Sequence, residues 1–91
     1  MSKVKIEKPD KQKLEQLDVF NWPIWEKEIS TFDWYYTSKE TCFILEGKVR
    51  VEPKKGVPVE FGLGDLVTFP KGMDCIWKIS KPVRKHYMFF D

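Results

Sequence analysis

Glu40 is the residue whose type and neighbours point most directly to chemistry. It follows Trp34 and Tyr36 and precedes Cys42. If the strands on either side of residues 38–39 keep one alternation, these four side chains share a face. A carboxylate that is surrounded by aromatic rings must pair with a cation, accept hydrogen bonds or become protonated. Glu40 is therefore the leading candidate for acid/base catalysis or for ligand binding.

The last strand carries the partners that Glu40 would need, on two alternative faces. The more apolar face of residues 83–89 carries Lys85 as a counter-ion and Tyr87 as a hydrogen-bond donor. The opposite face carries His86, which would complete a Glu–Cys–His set able to hold a metal or to act as a general base. Alternation favours the Lys85 face, but a β-bulge would reverse the order, so both arrangements stay open.

Cys75 has three possible roles at this stage. A buried, inert thiol is the commonest fate of a cysteine, and it is the favoured one here. Lys85 could instead lower the pKa of Cys75 and make it a nucleophile. A redox pair with Cys42 would require the two Cα atoms to lie within about 7 Å. Trp77 shares the face of Cys75 by alternation.

Short β-rich runs separated by Gly and Pro turns predict the elements that position these residues. This spacing is typical of a small all-β sandwich or barrel. A helical turn is expected within Lys11–Leu17, after Pro9-Asp10. The turn Gly62–Asp65 is expected to need a positive φ at a glycine. The main predicted strands are Glu40–Leu45, Lys48–Val51 after a hairpin at Gly47, Val57–Phe61, Leu66–Phe69, and a final pair, Cys75–Ile79 and Val83–Phe90, separated at Lys81-Pro82.

Three sequence pieces in this order carry a resemblance to a known family. They are FDWYY at 32–36, ETCFILEG at 40–47 and GDLVTFPKG at 64–72. Together they resemble the small single-domain cupins related to ureidoglycine aminohydrolase and the ethanolamine-utilisation cupin, over about residues 22–90. The resemblance implies an all-β, single-domain cupin jelly-roll β-barrel with a short N-terminal helical turn. Residues 1–91 would form one domain, with an N-terminal strand and helical segment at 1–21 and the barrel at 22–90.

The same resemblance bears on metal binding. In metal-binding cupins the two histidines of the first motif would fall on Trp34 and Tyr36, its glutamate on Glu40, and the histidine of the second motif on Cys75. A carboxylate and a thiolate are too few for a divalent site, which needs roughly three or four protein ligands. We therefore expect no metal and no other cofactor.

Bulk composition excludes several classes of function. The net charge is +2, and charges of both signs are interspersed along the 91 residues, so we expect no nucleic-acid partner. No apolar run approaches the length of a membrane span, and the N-terminus does not resemble a secretory signal. Two cysteines in such a chain are typical of reduced thiols, which predicts a cytoplasmic protein.

The residues that share the inward face predict a binding lumen. Those expected to bind a small polar organic ligand are Trp34, Tyr36, Cys42, Trp77 and Tyr87, since an apolar pocket with a few polar groups is the usual profile of a small-molecule site. The alternative is an enzyme of small nitrogenous or carbohydrate-like metabolites that uses Glu40 as acid/base, assisted by Tyr36, Cys75 or Lys85. A protein–protein adaptor is a further alternative.

Apolar residues on the outward face of the strands predict that another segment or another chain packs against this face. Phe43, Ile76 and Phe90 lie opposite the faces assigned inward. Either the N-terminal segment or a second copy of the chain must shield them. The sequence favours a two-fold homodimer over a monomer.

Overall fold

The structure is a computed structural model and describes residues 3–90. Met1, Ser2 and Asp91, which the predicted domain includes, lie outside the described residues. No helix within 3–90 is long and apolar enough to cross a membrane. In chain order the elements are β1 (Lys5–Glu7), α1 (Lys11–Gln16), a 3-10 turn (Val19–Asn21), β2 (Ile24–Lys27), β3 (Ser30–Tyr35), β4 (Lys39–Pro53), β5 (Val59–Gly62), β6 (Leu66–Phe69) and β7 (Asp74–Phe90).

Two long strands, β4 and β7, build both layers of the fold. They pair with each other along most of their length. The first half of β4 also pairs with β6 and the second half with β5, whereas the first half of β7 pairs with β3 and the second half with β2. One layer therefore reads β1-β6-β4-β7-β2 and the other β5-β4-β7-β3, all antiparallel. This arrangement confirms the predicted all-β jelly-roll class.

The two layers are separated by a bend at Gly47, not by a hairpin. The predicted hairpin is wrong, because β4 continues through Gly47 and β7 continues through Pro82. The β4–β7 register shifts at three points between Ile44 and Val49, and such bulges bend a strand without ending it. Among the described residues, Pro82 has no partner in the β4–β7 register. The N–H that proline lacks therefore removes no hydrogen bond between these two strands.

The core lies between the two layers. Its members come from both halves of the long strands, as expected for facing sheets. The buried apolar side chains of this core are Tyr36, Cys42, Ile44, Val49, Val51, Phe61, Val67, Phe69, Cys75, Trp77, Ile79 and Val83.

The N-terminal segment covers part of the outer face. The Asp10 side chain accepts a hydrogen bond from the Lys13 backbone N–H at 2.9 Å and caps α1. A second buried cluster of Leu14, Val19 and Trp22 packs against Phe43 and Met88. Phe43, one of the three outward residues behind the dimer prediction, is therefore shielded by its own chain. The homodimer stays a prediction.

Candidate functional site

A cavity of about 190 Å³ opens on the inner face, where β2, β3, β4 and β7 meet. Its walls are almost entirely aromatic, and its polar groups come from only a few residues. Trp34 is 43% exposed and stands at the mouth. The lining residues are Trp25, Phe32, Trp34, Tyr36, Glu40, Trp77, Lys85, Tyr87 and Phe89.

A buried ion pair lies in the cavity wall. Lys85 Nζ is 2.6 Å from Glu40 Oε2, and the two residues are only 5% and 2% exposed. Because β4 and β7 are neighbours, two residues far apart in sequence meet from adjacent strands. Desolvation makes such a pair costly unless its geometry is good and further contacts support it.

Two indole rings supply that further support. Lys85 Nζ is 4.9 Å from the ring centroid of Trp25 and 4.8 Å from that of Trp77. An ammonium over an indole face is stabilised by the negative face of the ring, and more so when it is desolvated. Trp25 is held there by β2, whose register places it directly opposite Lys85.

Tyr36 is the third polar group of the cavity. Its ring stacks on Phe69 with a centroid distance of 4.7 Å, and its hydroxyl accepts a hydrogen bond from Trp77 Nε1 at 3.1 Å. Burial, reinforced by the negative charge of Glu40, raises the pKa of Tyr36 far above its usual value. The phenol is therefore protonated throughout the physiological range and is able to donate a hydrogen bond.

His86 lies on the opposite face of β7, away from the cavity. Its Nδ1 is 2.9 Å from the backbone carbonyl oxygen of Trp22, to which it donates, since a carbonyl can only accept. Phe20 meets the imidazole edge to face at 5.8 Å. Of the two arrangements left open by the sequence, the structure has the one with Lys85 inward.

The cysteines do not reach the site as expected. Cys42 and Cys75 are buried free thiols of the core and are absent from the cavity lining. Cys75 Sγ donates to the Trp34 carbonyl oxygen at 3.5 Å. Burial raises the pKa of Cys42 to about 12, despite the charge of Lys85. Burial, and then the charge of Asp74, raises that of Cys75 to about 11. Cys42 packs in the core and does not line the cavity where a ligand contact was expected. Burial dominates the pKa of both thiols, which agrees with the inert role that the sequence favoured for Cys75.

Both thiols should therefore resist alkylation in the folded protein. With a pKa near 11, only about one Cys75 in a thousand is thiolate at pH 8. We expect iodoacetamide to label the native chain at least about a hundredfold more slowly than the urea-unfolded chain, which serves as the control. Mass spectrometry after timed quenching measures both rates. Labelling of either cysteine at the unfolded rate under native conditions would contradict this account.

The residues at the cupin metal positions do not fit a divalent ion. Glu40 is engaged by Lys85, Trp34 has no ligating atom, and the Tyr36 phenol stays protonated. The Cys75 thiol points to a backbone carbonyl. Among residues 3–90 no group of three or more His, Cys, Asp or Glu side chains is arranged to hold a metal.

Sequence reasoning did not assign Trp25, Phe32 or Phe89 to the site. Phe32 stacks on Trp77 at 6.0 Å, and Trp25 contacts the Lys85 ammonium. The available signal was alternation, since Phe32 shares a face with Trp34 and Phe89 shares one with Lys85. Trp25 could be found only from the pairing of β2 with β7.

Comparisons with known proteins agree with this architecture. Residues 14–87 match the family model of the EutQ-like cupin domain. The fold is similar to the crystal structure of a DUF861 family protein from Thermotoga maritima, with 60% identity, coverage of 97% of this chain and 100% of that chain, and a TM-score of 0.95. A search among curated proteins finds no match.

Two ethanolamine-utilisation proteins share the fold at lower identity. The EutQ protein of Clostridium difficile is 24% identical, with 74% of this chain and 52% of that chain covered and a TM-score of 0.67. A putative ethanolamine utilization protein Q from Salmonella typhimurium is 24% identical, with 74% and 54% covered and a TM-score of 0.66. The chain spans about half the length of these two proteins.

Proposed function

The chain belongs to the EutQ-like cupin domain family, and on that premise we propose that its lumen binds a small polar organic molecule without a metal. The observation that carries the proposal is the buried Glu40–Lys85 pair inside an aromatic cavity. A barrel filled only for stability gains little from two buried charges, because apolar residues of similar volume are often as stabilising or more so. A charged pair beside open space is instead suited to orient a ligand.

Four tryptophans allow a direct test of where a small molecule binds. Trp25, Trp34 and Trp77 line the cavity, whereas Trp22 belongs to the cluster under the N-terminal segment. We expect at least one of 2-pyridone, benzoate and benzylammonium to shift the indole N–H signals of the first three in ¹H–¹⁵N spectra. The Trp22 signal is the internal control. Shifts at Trp22 alone, or at no indole for any of the three, would overturn the proposal.

Catalysis by Glu40 is the second candidate function. It is favoured by a carboxylate that borders the cavity next to a protonated phenol, because such a pair can accept and donate protons to one bound molecule. A Glu40→Gln variant separates the two candidates once a ligand is known. An enzyme loses turnover with its fold intact, whereas a binding protein loses affinity at most.

The adaptor role and the homodimer stay predictions. Sedimentation equilibrium tests the homodimer.

A further inference from the structure

The Glu40 carboxylate offers hydrogen-bond acceptor capacity to the cavity. Lys85 donates to its Oε2 at 2.6 Å. A carboxylate has about four lone-pair sites on its two oxygens, so a single lysine does not use them all. Since Glu40 lines the cavity, its second oxygen, Oε1, is the acceptor that a ligand would use.

Beside this acceptor lie two donors. The Lys85 ammonium has three N–H groups, of which one reaches Glu40. The indoles of Trp25 and Trp77 flank its nitrogen, so the hydrogens left over can turn to the cavity. The Tyr36 hydroxyl accepts from Trp77, and its own hydrogen has no acceptor among the described residues.

Charge restricts the ligand further. The Glu40–Lys85 pair has no net charge, so it offers no uncompensated counter-ion to a charged guest. An anion that approaches Lys85 meets the Glu40 carboxylate 2.6 Å further on, and a cation that approaches Glu40 meets the ammonium. Either guest would give up its hydration for a nearly cancelled attraction. A neutral molecule with a donor and an acceptor avoids both costs.

We propose that the lumen selects neutral, planar molecules in which a carbonyl oxygen and an N–H lie side by side, as in a lactam. This inference rests on the proposed binding function of the lumen. The carbonyl oxygen accepts from Lys85, the N–H donates to Glu40 Oε1, and the ring lies against the aromatic walls. Tyr36 donates to a second acceptor or to the same carbonyl. The ion pair thus forms hydrogen bonds with both the carbonyl oxygen and the N–H of one amide group.

The size of the cavity agrees with a single ring. Its volume of about 190 Å³ is below the roughly 300–1,000 Å³ typical of drug-sized ligands. Aromatic side chains on several sides favour a flat guest, because offset and edge-to-face contacts with rings are both available.

The test compares 2-pyridone with 1-methyl-2-pyridone, which keeps the ring and carbonyl but replaces the N–H by a methyl group. Titrations followed by the cavity indole signals give both dissociation constants. We expect 2-pyridone to bind at least about tenfold more tightly, since the methylated ring leaves the desolvated Glu40 oxygen unpaired. Benzoate and benzylammonium should bind more weakly than 2-pyridone.

A charge variant provides a second, independent readout. Glu40→Gln keeps the shape of the side chain but leaves Lys85 without its counter-ion. The ratio of benzoate to 2-pyridone affinity should then rise at least about tenfold. A purely structural role of Glu40 would leave this ratio unchanged.

The outcomes separate this inference from the proposed function. The proposed ligand class is overturned if the two pyridones bind equally well, or if the wild type prefers benzoate or benzylammonium to 2-pyridone. The proposed binding function of the lumen would stand in either case. No response of the cavity indoles to any of these four probes overturns both. Because the comparison of the two pyridones uses the wild-type protein, it stands even if Glu40→Gln does not fold.

Discussion

Replacing Lys85 by methionine should lower the free energy of unfolding by about 3–5 kcal/mol. The substitution removes the ammonium that lies 2.6 Å from Glu40 Oε2 and between two indoles. The carboxylate, which is only 2% exposed, is then left among aromatic side chains with no cation to offset its desolvation. The resulting loss is a large part of the total stability expected for a domain of this size.

Urea unfolding followed by far-UV circular dichroism measures the effect. Arg84→Met is the matched control, because Arg84 precedes Lys85 on β7 and its ion pair within residues 3–90 is an exposed, 3.8 Å contact with Glu26. It should be close to the wild type. The double variant Glu40→Leu/Lys85→Met should recover most of the loss, since no buried charge is left unpaired. A Lys85→Met protein as stable as the Arg84→Met control would mean that the pair is not the buried element described here.

Gly47→Ala should destabilise the protein by about 2–6 kcal/mol, from backbone strain and overpacking together. Gly47 has φ +115°, a conformation that alanine rarely adopts. An added Cβ would also lie 2.7 Å from the Pro82 carbonyl oxygen and 2.8 Å from Val83 Cα. Both are backbone atoms of β7, so relief requires the two long strands to separate at the bend.

Gly64→Ala is the control that separates these two causes. Gly64 also has a positive φ, +88°, but an added Cβ meets nothing within 4 Å. Its cost should therefore be strain alone, about 1–3 kcal/mol. Thermal and urea unfolding of both variants give the comparison. If Gly47→Ala costs no more than Gly64→Ala, close approach of β4 and β7 is not what requires a glycine at the bend.

The sequence by itself was sufficient for features that depend on local periodicity. Side chains alternate every second residue in any strand, so Trp34, Tyr36 and Glu40 could be assigned to one face before any pairing was known. A positive φ in the turn before Asp65 followed from the chemistry of glycine and is confirmed at Gly64. The all-β class followed from the spacing of turns and from the resemblance to small cupins.

Only the tertiary structure decided which of these faces meet and where the chain bends. Gly47 and Pro82 are typical of strand ends because each weakens an isolated strand, yet both lie inside continuous strands of the fold. The close approach of β4 and β7 requires a glycine at position 47, and Pro82 is tolerated because it has no partner in the β4–β7 register of the described residues. Trp25 reaches Lys85 through the register of β2 on β7, a pairing across about sixty residues that no local pattern encodes. Cys42 shares an inward face with Glu40 but is covered by the core, because the direction of a side chain is local whereas the space in front of it is set by the whole barrel.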